Sequence, residues 1–145
     1  MKEKKSLYLY REEKVKMSYE ECYSNTYKSE LLAKARTNSM QLADWYGRGK
    51  HGEADTSCPL CKHPMEDLIH FLIDCKELKN SRNKDIMNII QKKRAKTEQV
   101  KTLLFRLKKW NKIAEMIQNM WNKRKNIIDD KVNTTVNTPS INKQQ

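Results

Sequence analysis

The sequence predicts a small all-α domain, and three observations support this prediction. The chain has 145 residues, about the length of one domain. Its glycines all lie between residues 47 and 52, in an irregular centre of the chain. Residues 1–46, before this centre, and residues 65–138, after it, contain neither glycine nor proline. These long stretches are rich in Lys, Glu, Leu, Met and Gln, which favour helix. With 37% apolar and 33% charged residues, the chain can form one modest core.

The first helical segment is predicted at 18–46, after an N-terminal segment of residues 1–17. Ser18 and Glu21 fit a capping box, in which each side chain satisfies a free backbone N–H at the start of a helix. An apolar stripe with i+4 spacing then predicts a helix at about 19–36. The stripe consists of Tyr19, Tyr23, Tyr27, Leu31 and Ala35. A short further helical turn is expected to carry Met40, Leu42 and Trp45.

A cluster of cysteine and histidine follows the glycine-rich loop and defines a module at 47–79. Cys58 and Cys61 form a CxxC pair, and His70 and Cys75 follow within fourteen residues. Zinc prefers four Cys or His ligands in a tetrahedron, and this spacing is typical of such sites. We therefore predict a zinc knuckle-like CCHC site with Zn²⁺ as cofactor. Four protein ligands leave no open position, so the site is expected to be structural.

Local helix geometry explains how the site could close. Pro64 suits a first helical turn, so a helix is expected from Pro64 through about residue 79. This helix would place His70 and Cys75 on one face if its last residues loosen near Cys75. His63 is a rival imidazole, although it lies close to Cys61. Asp67 and Asp74 lie one turn before and after His70, so either could accept the free ring N–H of His70 or remain solvated.

Positive charge is concentrated in a basic helical region at 80–128. Residues 81–128 contain 14 Lys or Arg and 3 Asp or Glu, out of a net charge of +12 for the chain. Ser81 could cap a helix that carries Ile86 and continues into residues 92–96. Thr97 could cap a longer helix at about 98–126. The apolar stripe of this helix is heptad-like and includes Leu107, Trp110 and Trp121. Its other faces carry Lys and Arg, among them Arg124. The polar residues 129–145 are predicted to form a disordered tail.

This charge distribution predicts a polyanionic partner, either RNA or DNA. Lysines and arginines of the basic region would neutralise phosphates, and the loop after Trp45 adds two cations beside aromatic side chains. The candidate nucleic-acid-binding residues are Arg48, Lys50, Lys92, Lys93, Arg94, Lys101, Lys108, Lys109 and Lys112.

Several stretches of the chain together resemble a known segment: Ala35–Leu42, the sequence CPLC at 58–61, the acidic pair at 66–67, His70-Phe71 and Cys75. It is the C-terminal zinc-binding segment of non-LTR (LINE-like) retrotransposon reverse transcriptases, and the resemblance covers residues 34–82. The resemblance implies the same four CCHC ligands and a role in holding template RNA or target DNA beside a polymerase. No YxDD-type carboxylate pair is present, so the chain is expected to be a detached tail without polymerase or nuclease activity.

Two other interpretations remain open at this point. The heptad-like helix at 98–126 could form a homodimer or bind a partner helix, with its charges serving solubility. The chain could also be a decayed retroelement fragment without a discrete function. No apolar run approaches the about 20 residues of a membrane span, and the basic N-terminal residues lack an apolar signal core. We therefore expect an intracellular protein, in the nucleus or the cytoplasm.

Overall fold

The computed structural model describes residues 26–47 and 55–143, and it confirms an all-α fold within those ranges. The α-helices are α1 (Tyr27–Arg36), α2 (Ala43–Gly47), α3 (Lys84–Ile90), α4 (Lys96–Lys101) and α5 (Trp110–Lys143). Two π turns lie at His70–Asp74 and Thr102–Arg106, and a 3-10 helix lies at Lys76–Ser81. Helix α5 packs against both α1 and the 3-10 helix.

Helix α1 begins later than the sequence pattern predicts. Thr26 is extended, with φ −107° and ψ 156°, and its hydroxyl caps the helix by accepting from Ser29 N at 3.3 Å. At the other end Asn38 adopts the left-handed conformation (φ 52°) and Ser39 N donates to Lys34 O at 2.8 Å. The continuous helix expected over 19–36 is therefore interrupted at Thr26, while residues 19–25, the Ser18–Glu21 capping box and residues 1–17 lie outside the described residues.

The helix predicted from Pro64 to residue 79 is also replaced by shorter elements. Helical structure begins at Leu68, widens into the first π turn, and gives way at Cys75, which is extended. Helix α3 is capped by Asn83, whose Oδ1 accepts from Ile86 N at 3.1 Å, and not by Ser81. It ends at Ile90, so residues 92–95 form an irregular connection.

The heptad-like run at 98–126 is not one helix, because the chain turns at Leu107. Helix α4 begins at Lys96 without a side-chain cap from Thr97, and the second π turn ends at Leu107, which is extended (φ −78°, ψ 133°). Four consecutive residues, Thr102 to Phe105, are buried, and one face of an α-helix cannot bury four successive side chains. The break lets the chain bury all four, and the Leu104 carbonyl accepts from Arg36 Nε at 2.7 Å.

The apolar stripe of that run is packed inside this chain. Leu103, Ile113, Ile117 and Met120 are fully buried in the single core, and Trp121 is partly buried against it. Helix α5 then continues to Lys143, beyond residue 128, where the sequence places a disordered tail. Ile127 and Ile128 contact the core up to that boundary, and beyond it Lys131 Nζ donates to Pro59 O at 2.7 Å. Among the described residues, no helix combines the length and hydropathy needed to cross a bilayer.

Candidate metal centre and basic surface

The metal loop, which we define as residues 55–67, folds back on itself around the CxxC pair. Cys58 N donates to His63 O at 2.7 Å, and Lys62 N donates to Cys58 O at 2.9 Å. Lys62 takes a left-handed conformation (φ 69°), which reverses the chain directly after Cys61. Glu66 N then donates to Thr56 O at 2.8 Å and closes the loop. These bonds hold both thiols of the pair on one side of the turn.

The first π turn supplies the other two candidate ligands. Asp67 Oδ1 accepts from His70 N at 2.8 Å and starts the turn, and Cys75 N donates to His70 O at 2.7 Å, an i to i+5 bond. Because the turn contains one residue more than an α-helical turn, Cys75 lies next to Cys58. The structure thus agrees with the expectation that the helix loosens near Cys75, and the loosening takes the form of a π turn.

The structure brings all four predicted ligand residues together. One donor atom from each of Cys58, Cys61, His70 and Cys75 lies within 4.8 Å of every other. Cys58 Sγ is 3.9 Å from Cys75 Sγ, and Cys61 Sγ is 3.2 Å from His70 Nε2. A tetrahedral ion with Zn–S bonds of about 2.3 Å places two sulfurs about 3.8 Å apart. The three thiols are free, and the cluster fits a single metal ion.

Burial sets the protonation preferences of these ligands. It raises the pKa of the Cys75 thiol to about 12 and raises that of Cys58 above its usual value. Burial also lowers the pKa of His70, with the nearby His63 acting in the same direction. A buried thiolate is costly without a compensating cation, so this pocket suits a bound cation.

The residues around the ligands decide between the alternatives that the sequence left open. His63 is not in the ligand cluster: its ring stacks on His70 with centroids 4.5 Å apart, and it hydrogen-bonds the backbone of Met65. Neither Asp67 nor Asp74 accepts a hydrogen bond from the ring of His70, so the first of the two alternatives is excluded for both. Asp67 accepts from the backbone of His70, Asp74 pairs with Lys96, and His70 Nδ1 has no hydrogen-bond partner among the described residues.

A buried ion pair behind the ligands was missed by the sequence analysis. Glu66 Oε2 lies 2.7 Å from Arg124 Nε, and Glu66 Oε1 accepts from Arg124 Nη2 at 2.8 Å and from Ala43 N at 2.9 Å. The same carboxylate lies 4.0 Å from Cys58 Sγ. Glu66 is 1% exposed and Arg124 is 8% exposed, so Arg124 is not a surface charge. The pair fastens the metal loop to α2 and α5.

Two further cations support the same region. Arg82 is buried and donates to the carbonyls of Phe71 and Leu72 at 3.0 and 2.8 Å, which the widened turn leaves free. Burial lowers the pKa of Arg82. Lys131 Nζ donates to Pro59 O at 2.7 Å, so α5 contacts the metal loop at a second point about two turns beyond Arg124.

The predicted nucleic-acid-binding residues fall into three groups. Lys92, Lys93 and Arg94 are exposed in the connection between α3 and α4. Lys108 and Lys109 are exposed just before α5 and Lys112 is exposed in its first turn, whereas Lys101 is only half-exposed. Arg48 and Lys50 lie outside the described residues, as do His51 and Cys22, and Trp45 beside them is half-buried.

Comparisons with family models, with curated proteins and with solved structures find no match to this chain. The function must therefore be argued from the site itself.

Proposed function

We propose that the chain is a non-catalytic, zinc-stabilised module that binds nucleic acid through the basic surface of its C-terminal half. The observation that carries the nucleic-acid part is the exposed cationic group at the start of α5. Lys108, Lys109 and Lys112 are exposed within five residues, and 81–128 has a net charge of +11. A concentrated positive surface of this kind favours binding to phosphates and the release of their counterions.

Zinc is the proposed metal because of the donor set. Three thiols and one imidazole are soft and borderline ligands, which select Zn²⁺ over Mg²⁺ or Ca²⁺. Cys58, Cys61, Cys75 and His70 Nε2 would hold the ion and leave no position open for substrate or water. The ion would supply folding free energy to the metal loop, and the loop contributes no residue to catalysis in this proposal.

The division of roles also fits the resemblance to reverse transcriptase tails. In this proposal the metal centre is a scaffold, because the metal loop contains one Lys and three Asp or Glu residues and is therefore slightly acidic. The lysines of the connection and of α5 would hold template RNA or target DNA. The buried Glu66–Arg124 pair links the scaffold to the helix that carries the lysines.

Charge reversal tests the nucleic-acid proposal. The variant K108E/K109E/K112E should weaken binding to single-stranded RNA, single-stranded DNA and duplex DNA alike, as measured by fluorescence anisotropy. Affinity of the unaltered chain should fall steeply between about 50 and about 200 mM salt, and the slope of log affinity against log salt should decrease in the variant.

A matched control separates a local surface from net charge. The variant K28E/K76E/K79E makes the same change of six charges on side chains outside residues 80–128. It should retain most of the affinity. Equal loss of affinity in both triple variants would show that only net charge matters, and no binding by the unaltered zinc-loaded chain would exclude the proposal.

A further inference from the structure

We infer that the solvent-facing side of α5 recognises the major groove of duplex DNA. This inference rests on the proposed function and names its ligand. The side opposite the core carries side-chain amides along several turns of the helix. Asn111, Asn119, Asn122 and Asn126 are all exposed, whereas Ile113, Ile117 and Met120 on the other side are fully buried.

The amides lie along one narrow stripe. At 3.6 residues per turn, the four asparagines and the exposed Glu115 fall within an arc of about 80°. The stripe extends about 22 Å along the axis from Asn111 to Asn126. An α-helix about 10–12 Å across fits a B-DNA major groove about 12 Å wide, with such a stripe facing the base edges.

The chemistry of the stripe matches base edges. Asparagine can donate to N7 and accept from N6 of adenine at once, and a carboxylate such as Glu115 can accept from N4 of cytosine. Lysines flank the stripe on both sides: Lys112 and Lys123 lie beyond one edge, and Lys125 lies beyond the other. The amides at the centre of the stripe would hydrogen-bond to base edges and so distinguish sequences, and the lysines at its edges would contact the two phosphate backbones.

The same observations favour duplex DNA over the other nucleic acids. The major groove of A-form RNA is too deep and narrow for a helix to enter. Binding of single strands relies on aromatic side chains on which bases stack. The stripe contains no aromatic residue, and Trp110 and Trp121 on α5 are partly buried. Tyr27 beside the stripe is exposed, but Lys125 Nζ lies over its ring, 5.4 Å from the centroid, on the face where a base would stack.

Selection from a pool of random-sequence DNA duplexes of about 20 base pairs tests the inference on the full zinc-loaded chain. We expect enrichment of a motif that contains A·T pairs. The chain should bind that motif at least about tenfold more tightly than a scrambled duplex, since one bidentate amide–base pair contributes a discrimination of that size.

The variant N119A/N122A should lose most of this discrimination, while the salt dependence stays unchanged because no phosphate contact is removed. The control variant N80A/N88A removes two exposed amides outside α5 and should behave like the unaltered chain. Circular dichroism and zinc content establish that both variants are folded. Alanine is a good helix former, so N119A/N122A should not disturb α5.

The outcomes separate this inference from the proposed function. If the chain binds single-stranded RNA or DNA as tightly as duplex DNA, or if N119A/N122A discriminates as well as the unaltered chain, the recognition surface is excluded while charge-driven binding stands. If no form of nucleic acid binds, the proposed function and this inference both fail.

Discussion

The metal loop and the second π turn are both short irregular segments, yet they are held in place by different interactions. Between residues 55 and 67 the buried side chains are Cys58, Leu60 and Glu66, and the loop is fastened by hydrogen bonds and an ion pair. In the π turn, residues 102–105 are all buried in the apolar core. The difference predicts that the stability of the metal loop depends on a bound cation, whereas the π turn is stabilised by burial of apolar surface.

Metal removal should have the largest effect and should act on the loop first. In the variant C58S we expect loss of the one zinc per chain that elemental analysis should find in the unaltered protein. A structural zinc site contributes about 10 kcal/mol or more, so thermal unfolding should shift to much lower temperature. The variant C22S removes the one cysteine outside the cluster and should keep its zinc. Full zinc content in C58S would contradict the assigned ligand set.

The ion pair between the loop and α5 should come next. In the variant R124M, Glu66 is left buried without its partner. The free energy of unfolding, measured with urea, should therefore fall by about 3–5 kcal/mol. The neighbouring variant K123M alters an exposed side chain and should change stability little. The double variant E66Q/R124M should recover part of the loss, because no buried charge remains. If R124M leaves the free energy of unfolding unchanged, the pair does not fasten the loop.

A core substitution should show the opposite pattern to C58S. Ile117 is fully buried in the apolar core, so I117A should lose about 2–5 kcal/mol of unfolding free energy. Its zinc content, measured by elemental analysis, should stay at one per chain, because Ile117 is not among the ligands. Zinc loss in folded I117A would show that the core and the metal loop are not separately stabilised.

Protons should compete with the metal at the loop and not at the π turn. Because burial raises the pKa of Cys58 and Cys75, both thiols are protonated at neutral pH without metal, while the lowered pKa of His70 keeps its ring neutral. Zinc binding then releases at least these two thiol protons. Affinity should therefore fall by a factor of about 100 or more for each unit of falling pH between 8 and 7, measured against a chromophoric chelator. A pH-independent affinity would rule out thiolate ligation.

Part of the candidate site could be predicted from local spacing. The CxxC pair and the His70–Cys75 interval each lie within one turn or loop, where chain geometry limits how far apart the donor atoms can be. The structure brings those four residues together. The all-α fold followed in the same way from the distribution of glycine, proline and helix formers.

The rest depends on contacts between residues far apart in the chain. Glu66 and Arg124 are 58 residues apart, and nothing in the spacing of either marks it as buried. Spacing likewise left two roles open for Asp67 and Asp74, and in the structure each carboxylate has a partner other than the His70 ring. Competing hydrogen bonds are decided by where the neighbouring elements pack.

The sequence by itself determined that this chain is helical, that four residues can share a metal ion, and that its positive charge lies in the C-terminal half. These properties follow from composition and from spacings within a few turns. Only the tertiary structure decided that the heptad-like run breaks at Leu107 and that Arg36, Arg82 and Arg124 are buried. The physical reason is that one core must bury apolar surface from every element at once, and local periodicity cannot determine which helix or carbonyl will lie opposite a given side chain.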